Sequence, residues 1–123
     1  MNTPKKKQLL FSLRHAPYGN SLAKEALDAI LATSAYDQLL SIVFLDDGVF
    51  QLMANQQADV IEEKSISNRL SAFPLYDITA LFVCAESLQQ RGLTQENMPH
   101  EVTLVDAKAL KQLFSQQDHL LSF

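Results

Sequence analysis

Apolar residues along this chain fall into two alternating patterns, short unbroken runs and longer stretches with helical spacing. The first run, Leu9-Leu10-Phe11-Ser12-Leu13, has strand length and no polar alternation, which predicts a strand buried on both faces. The turn His15-Ala16-Pro17-Tyr18-Gly19 ends it. Ala23, Ala26, Leu27 and Ile30 then recur at i, i+3, i+4 and i+7, the period of an amphipathic helix, here reaching to about Ala35, with Asn20 or Ser21 expected to accept from the free N–H groups at its start. The second run, Leu39-Leu40-Ser41-Ile42-Val43-Phe44-Leu45, is rich in β-favouring residues and closes at Asp46-Asp47-Gly48.

Val49 to Met53 reads as a short helical turn, and Asp59 as the cap of a second long helix. Glu62 and Glu63 suit the positive end of that helix, Ile66, Leu70 and Phe73 form its inner stripe, and Pro74 ends it. Ile78 to Val83 is the third strand, followed at once by Cys84 and by a polar, helix-prone stretch that stops at Gly92. Val102 to Val105 supplies a fourth strand. Asp106 caps a last helix whose core face is Ala107, Leu110, Leu113 and Phe114, and His119 to Phe123 makes a fifth strand. Strands alternating with helices imply right-handed crossovers, hence an α/β fold of three layers, α/β/α, around a mostly parallel five-stranded sheet.

Composition narrows the class. The 123 residues are 47% hydrophobic and 20% charged, with three Gly and four Pro, which excludes disordered, collagen-like and disulfide-scaffold chains. No internal repeat, low-complexity tract or linker interrupts the pattern, so residues 1–123 read as a single domain. A formal net charge of -4 gives no broad attraction to phosphate, and direct nucleic-acid binding is not expected despite Lys5-Lys6-Lys7. No apolar stretch has the length of a signal peptide core or of a membrane span, which takes about 20 residues. A single Cys fits a reducing cytoplasm.

Ligands of open α/β sheets collect beyond the carboxyl ends of the strands, which makes Cys84 the first candidate for chemistry. One reading has the free N–H groups of the following helix favour a thiolate able to accept or pass sulfur. The other has a small buried hydrophobe at a strand end. Glu86, a carboxylate two residues on, opposes ionisation of the thiol.

Asp46-Asp47 could hold magnesium or a phosphoryl group only with a further carboxylate and a lysine on neighbouring strand ends, which the chain does not offer; a polar turn with Gly48 supplying permissive dihedrals is the simpler reading. His15, Tyr18 and Gly19 share the sheet edge of Cys84 in a parallel sheet, His15 as a solvated histidine or a partner to the thiol. His100 and His119 have no ligand spacing, so no metal is expected. Neither G-x-x-x-x-G-K-[ST] nor G-x-G-x-x-G occurs, and no cofactor is expected. Phe50, Leu52 and Met53, apolar residues just beyond a strand end, are candidates for a subunit interface as well as for the core.

His15-Ala16-Pro17-Tyr18-Gly19, Ala26 to Ala35, Asp47-Gly48-Val49-Phe50-Gln51-Leu52, Leu75-Tyr76-Asp77-Ile78, and Val83-Cys84-Ala85 with Arg91-Gly92-Leu93 stand in an order and spacing that resemble the DsrE/DsrF/DsrH family, in its DsrF-like (TusC) branch. The resemblance runs nearly the whole chain. It implies a subunit of a sulfur relay that hands persulfide sulfur toward 2-thiolation of the wobble uridine of certain tRNAs. It also implies assembly with TusB-like and TusD-like subunits in a heterohexamer, where the carrier cysteine belongs to the TusD-like subunit at the strand end that Cys84 matches. Glu86 stands where carriers tend to have a small neutral residue, so the resemblance implies a chain that mainly builds the complex. The rival readings are Cys84 as a carrier itself, or a receiver-like or nucleotide-binding module of flavodoxin-like build.

Overall fold

The computed structural model describes residues 7–17, 21–36, 39–53, 66, 68–98 and 101–123. Its elements run β1 (Gln8–Leu13), α1 (Leu22–Thr33), β2 (Leu39–Phe44), a 3-10 helix (Asp46–Leu52), a 3-10 turn (Phe73–Tyr76), β3 (Ala80–Cys84), α2 (Ala85–Gln90), a 3-10 turn (Gln95–Asn97), β4 (Thr103–Val105), α3 (Ala107–Ser115) and β5 (His119–Ser122). The strands form one sheet in the order β4-β3-β2-β1-β5, and every pairing in it is parallel.

Strand order fixes where the helices lie. From β1 to β4 each crossover moves one place in the same direction, so connections of one hand stay on one face; the return from β4 past three strands to β5 reverses direction and must use the other. The packing agrees. On the first face, Phe11, Leu13, Ile42, Phe44, Leu81 and Val83 meet Ala23, Ala26, Leu27 and Ile30 of α1, Leu88 of α2, and Ile66, Leu70 and Phe73. On the second, Leu10, Val43, Leu45, Cys84 and Val105 lie under Leu113 of α3, with Ala109, Leu110 and Phe114 packed at the margin.

The two faces are unequally covered. α3 has nine residues, about 14 Å of helix at 1.5 Å per residue. It cannot roof a sheet of five strands. Leu39 and Leu120, both on this second face by their register, remain 49% and 53% exposed. β5 is exposed along its whole length and is an edge strand rather than a covered one.

Caps follow the expected residues with one exception. Asp106 accepts from the Ala109 N–H at 2.8 Å and starts α3. Gly92, at φ +65°, ends the turn after α2, where the Leu93 N–H reaches back to the Leu88 carbonyl at 3.0 Å. Ser21 does stand at the start of α1, but its hydroxyl donates to the Glu25 carboxylate at 3.1 Å instead of accepting from the backbone. The side chain satisfies a carboxylate one turn on, which leaves the cap to the Ser21 carbonyl, acceptor for Glu25 N–H at 2.9 Å.

Ile66 and residues 68–72 are helical, and Ile66, Leu70 and Phe73 face the core as their spacing predicts. Asp59, Glu62 and Glu63, the expected start of that helix, lie outside the described residues, as do Lys5, Lys6, Tyr18, Gly19, Asn20 and His100. Among the described residues no helix is long and apolar enough to cross a membrane.

Candidate functional site

β3 and β4 are neighbours whose following helices leave to opposite faces, α2 to the first and α3 to the second. The carboxyl ends of strands are the place where open parallel sheets commonly bind ligands. Cys84 ends β3 there, in register with Val105 of β4. Its thiol is 6% exposed and packs within the apolar cluster of the second face. In this placement it behaves as a small apolar side chain. Glu86 is exposed and accepts from Gln90 Nε2 at 3.3 Å, a contact along its own helix.

Of the expected neighbours His15, Tyr18 and Gly19, the described one, His15, lies on the same edge. Arg14 and His15 follow β1, and Asp46 and Asp47 follow β2. The two aspartates are engaged by arginines, Asp46 by Arg14 at 2.9 Å and Asp47 by Arg91 at 3.0 Å. Both pairs face solvent, where such contacts contribute about 0–1 kcal/mol each. Arginine pairing is the use the structure makes of this acidic turn. Among the described residues no three His, Cys, Asp or Glu side chains gather as metal ligands would. His15 is exposed and contributes its backbone carbonyl, acceptor for Gln51 Nε2 at 2.8 Å. His119 begins β5 and so lies toward the amino end of the sheet, away from Cys84.

Gly48 has a different purpose from the one its composition suggests. The left-handed backbone in this turn belongs to Asp46, at φ 51°, a residue type that tolerates it. At Gly48 a Cβ would lie 1.8 Å from the Leu13 carbonyl oxygen, so the glycine is there for close approach and not for dihedral freedom.

The apolar residues after the turn divide. Val49 and Leu52, three apart and so eclipsed on a 3-10 helix, are fully buried, and Met53 is 6% exposed in the same cluster. Phe50 is half-buried and is the one of Phe50, Leu52 and Met53 with appreciable surface left to present to another subunit.

Ser87 ties the site together and was not among the residues singled out from sequence. Its buried hydroxyl accepts from the Asp46 N–H at 2.9 Å, and its carbonyl accepts from Arg91 Nη1 at 3.2 Å. The i, i+4 spacing of Ser87 and Arg91 on a helix was the available signal. Ser87→Ala is expected to cost about 1–2 kcal/mol, because it strands the Asp46 N–H in a partly buried turn. Urea denaturation measures this, and a variant as stable as the parent would mean that solvent replaces the hydroxyl freely.

A cleft of about 340 Å³ lies on the opposite, amino-terminal edge, lined by Leu70, Pro74, Ile78, Thr79, Leu81 and Glu101 among others. It lies away from Cys84, which ends β3 at the carboxyl edge.

Known proteins share this architecture. The ychN protein of E. coli superposes with a TM-score of 0.72 at 18% identity, over 97% of this chain and 100% of that one, a likeness of fold. A protein of Vibrio vulnificus strain CMCP6 described as a TusC homolog is 45% identical over 116 residues, 94% of this chain and 98% of its own length. A TusC homolog of Vibrio parahaemolyticus is 40% identical over the same span. A model of the DsrE/DsrF-like family matches residues 7–123. By fold, by family pattern and by near full-length identity, the chain belongs to the DsrE/DsrF-like family.

Proposed function

We propose that this chain is a subunit of a cytoplasmic sulfur relay that passes persulfide sulfur toward 2-thiolation of the tRNA wobble uridine, and that its part is mainly structural. TusB-like and TusD-like chains are its partners in a heterohexamer, and the TusD-like subunit carries the sulfur. The likeness to TusC homologs supports the relay. The observation that carries the structural part is the placement of Cys84, 6% exposed within an apolar cluster under α3. A sulfur carrier must present its terminal sulfur to a donor and then to an acceptor, and only a thiolate attacks the donor persulfide. Burial among Leu10, Val43 and Leu45 leaves the sulfur little surface to present to either.

A second reading, Cys84 as a carrier in its own right, draws on its position at the carboxyl end of β3, beside β4. Mass spectrometry of the purified complex after exposure to a persulfide donor separates the two, since a carrier gains the mass of one sulfur on Cys84. Cys84→Ser is expected to leave assembly and tRNA thiolation largely intact in cells with no other copy of the chain. Thiolation lost from an assembled complex would transfer the carrier role to Cys84. The receiver-like reading would draw on Asp46 and Asp47, which pair here with Arg14 and Arg91.

A further inference from the structure

The two edges of the sheet are defended differently. β4 is three residues long and is flanked by Glu101 and Asp106, which limits what can pair with it. β5 has no lysine, no proline and no inward-pointing charge, and it exposes Leu120 at 53% and Leu121 at 39% on opposite faces. Among the described residues nothing pairs with its outer side.

The ladder shows which backbone groups point outward. Phe123 donates its N–H to the Ser12 carbonyl at 2.9 Å and accepts from the Arg14 N–H at 2.7 Å, so both of its groups turn toward β1. Alternate residues of a strand face alternate neighbours, so Leu121 also turns inward, and Leu120 and Ser122 hold their N–H and C=O groups out toward the open edge. Water satisfies such a row in a separated chain, and an extended backbone is the protein partner that matches its spacing.

We propose that β5 pairs with β5 of a second copy of this chain, antiparallel about a two-fold axis at Leu121, so that two sheets become one. In that register Leu120 faces the partner's Ser122 and exchanges both hydrogen bonds with it, and the symmetric pair does the same. Leu121 meets the partner's Leu121 at a non-hydrogen-bonded position, where side chains on neighbouring strands come closest. Centring the axis on Leu120 or on Ser122 instead leaves only one pair to exchange bonds. No charged residue stands between His119 and Ser122, so the strands meet without a like-charge pair although each chain carries a net charge of -4. A two-fold contact of this kind is self-complementary and closed, as most homo-oligomeric contacts are. The contact does not depend on the sulfur-relay reading, and either can fail alone.

Three variants of the full chain test it, alone and co-purified with its partners. L121C combined with C84S should cross-link to a species of twice the chain mass on mild oxidation, while L39C combined with C84S, exposed elsewhere, should not. L120P removes an outward N–H and leaves the β1 ladder intact, so it should weaken self-association by about tenfold or more in sedimentation analysis with an unchanged circular dichroism spectrum. L121K and L121E should each be monomeric and should pair with one another when mixed, as native mass spectrometry would read. A parent chain that is monomeric at tens of micromolar and gives no L121C cross-link overturns the proposal. So does a fully dimeric L120P, or monomeric L121K and L121E that do not pair.

Discussion

Gly48→Ala is expected to leave little or no folded protein. The added carbon would stand 1.8 Å from the Leu13 carbonyl oxygen and 2.6 Å from its carbon, and neither atom is free to retreat. That carbonyl accepts from the Leu45 N–H at 3.1 Å, and Leu13 is fully buried on an inner strand. Relief must come from the 3-10 helix, whose next residues Val49 and Leu52 are themselves fully buried, so the shift opens the core behind them. A loss of about 4 kcal/mol or more, against a total stability of about 5–15 kcal/mol for a domain, removes much of the native state. Soluble yield and the urea midpoint report it. A midpoint equal to the parent's would show that the turn can re-form away from β1.

Phe50→Asp is expected to release this chain from its complex while leaving the chain itself folded. Phe50 is half-buried, unlike Val49 and Leu52 beside it, so a carboxylate there can stay in water in the separated chain. In a desolvated contact between subunits the same carboxylate has no partner, a penalty of several kcal/mol. Phe50→Leu keeps an apolar surface and should be tolerated. Size-exclusion chromatography of co-expressed subunits decides between outcomes: Phe50→Asp eluting with the intact assembly would make Phe50 a bystander, and unfolding of the separated chain would make it a core residue.

Much of the architecture was legible because it is periodic. The run at Leu9 to Leu13 and the spacing of Ala23, Ala26, Leu27 and Ile30 report burial directly, whereas the run at Leu39 to Leu45 is buried only from Ile42 onward. Alternation of strands and helices foretold the parallel sheet and, with it, the shared edge of Cys84 and the start of the His15 loop. Alternation does not order the strands. The order β4-β3-β2-β1-β5, the placing of α3 alone among the described helices on the second face and the exposure of β5 all depend on where the last crossover lands, a long-range choice with no local period. The site was half legible for the same reason. Asp46 and Asp47 stood out as a pair, but Arg14 and Arg91 lie 32 and 44 residues from them in sequence, and Gly48 answers to a carbonyl across the sheet.

The pairing of the first strand with the last has a consequence in time. β1 can find β2, and β2 find β3, in the order in which the ribosome delivers them, but Ser12 and Gln8 meet Ser122 and Asp118 only across 110 residues of chain. At about 5–20 residues per second, β1 waits on the order of ten seconds for that neighbour. During the wait β1 is itself the edge of the growing sheet, and its Leu9 to Leu13 run is more apolar and longer than β5. Synthesis halted before β5 would therefore leave a nascent chain with a hydrophobic edge open to aggregation, and pairing of β5 with β1 closes that edge.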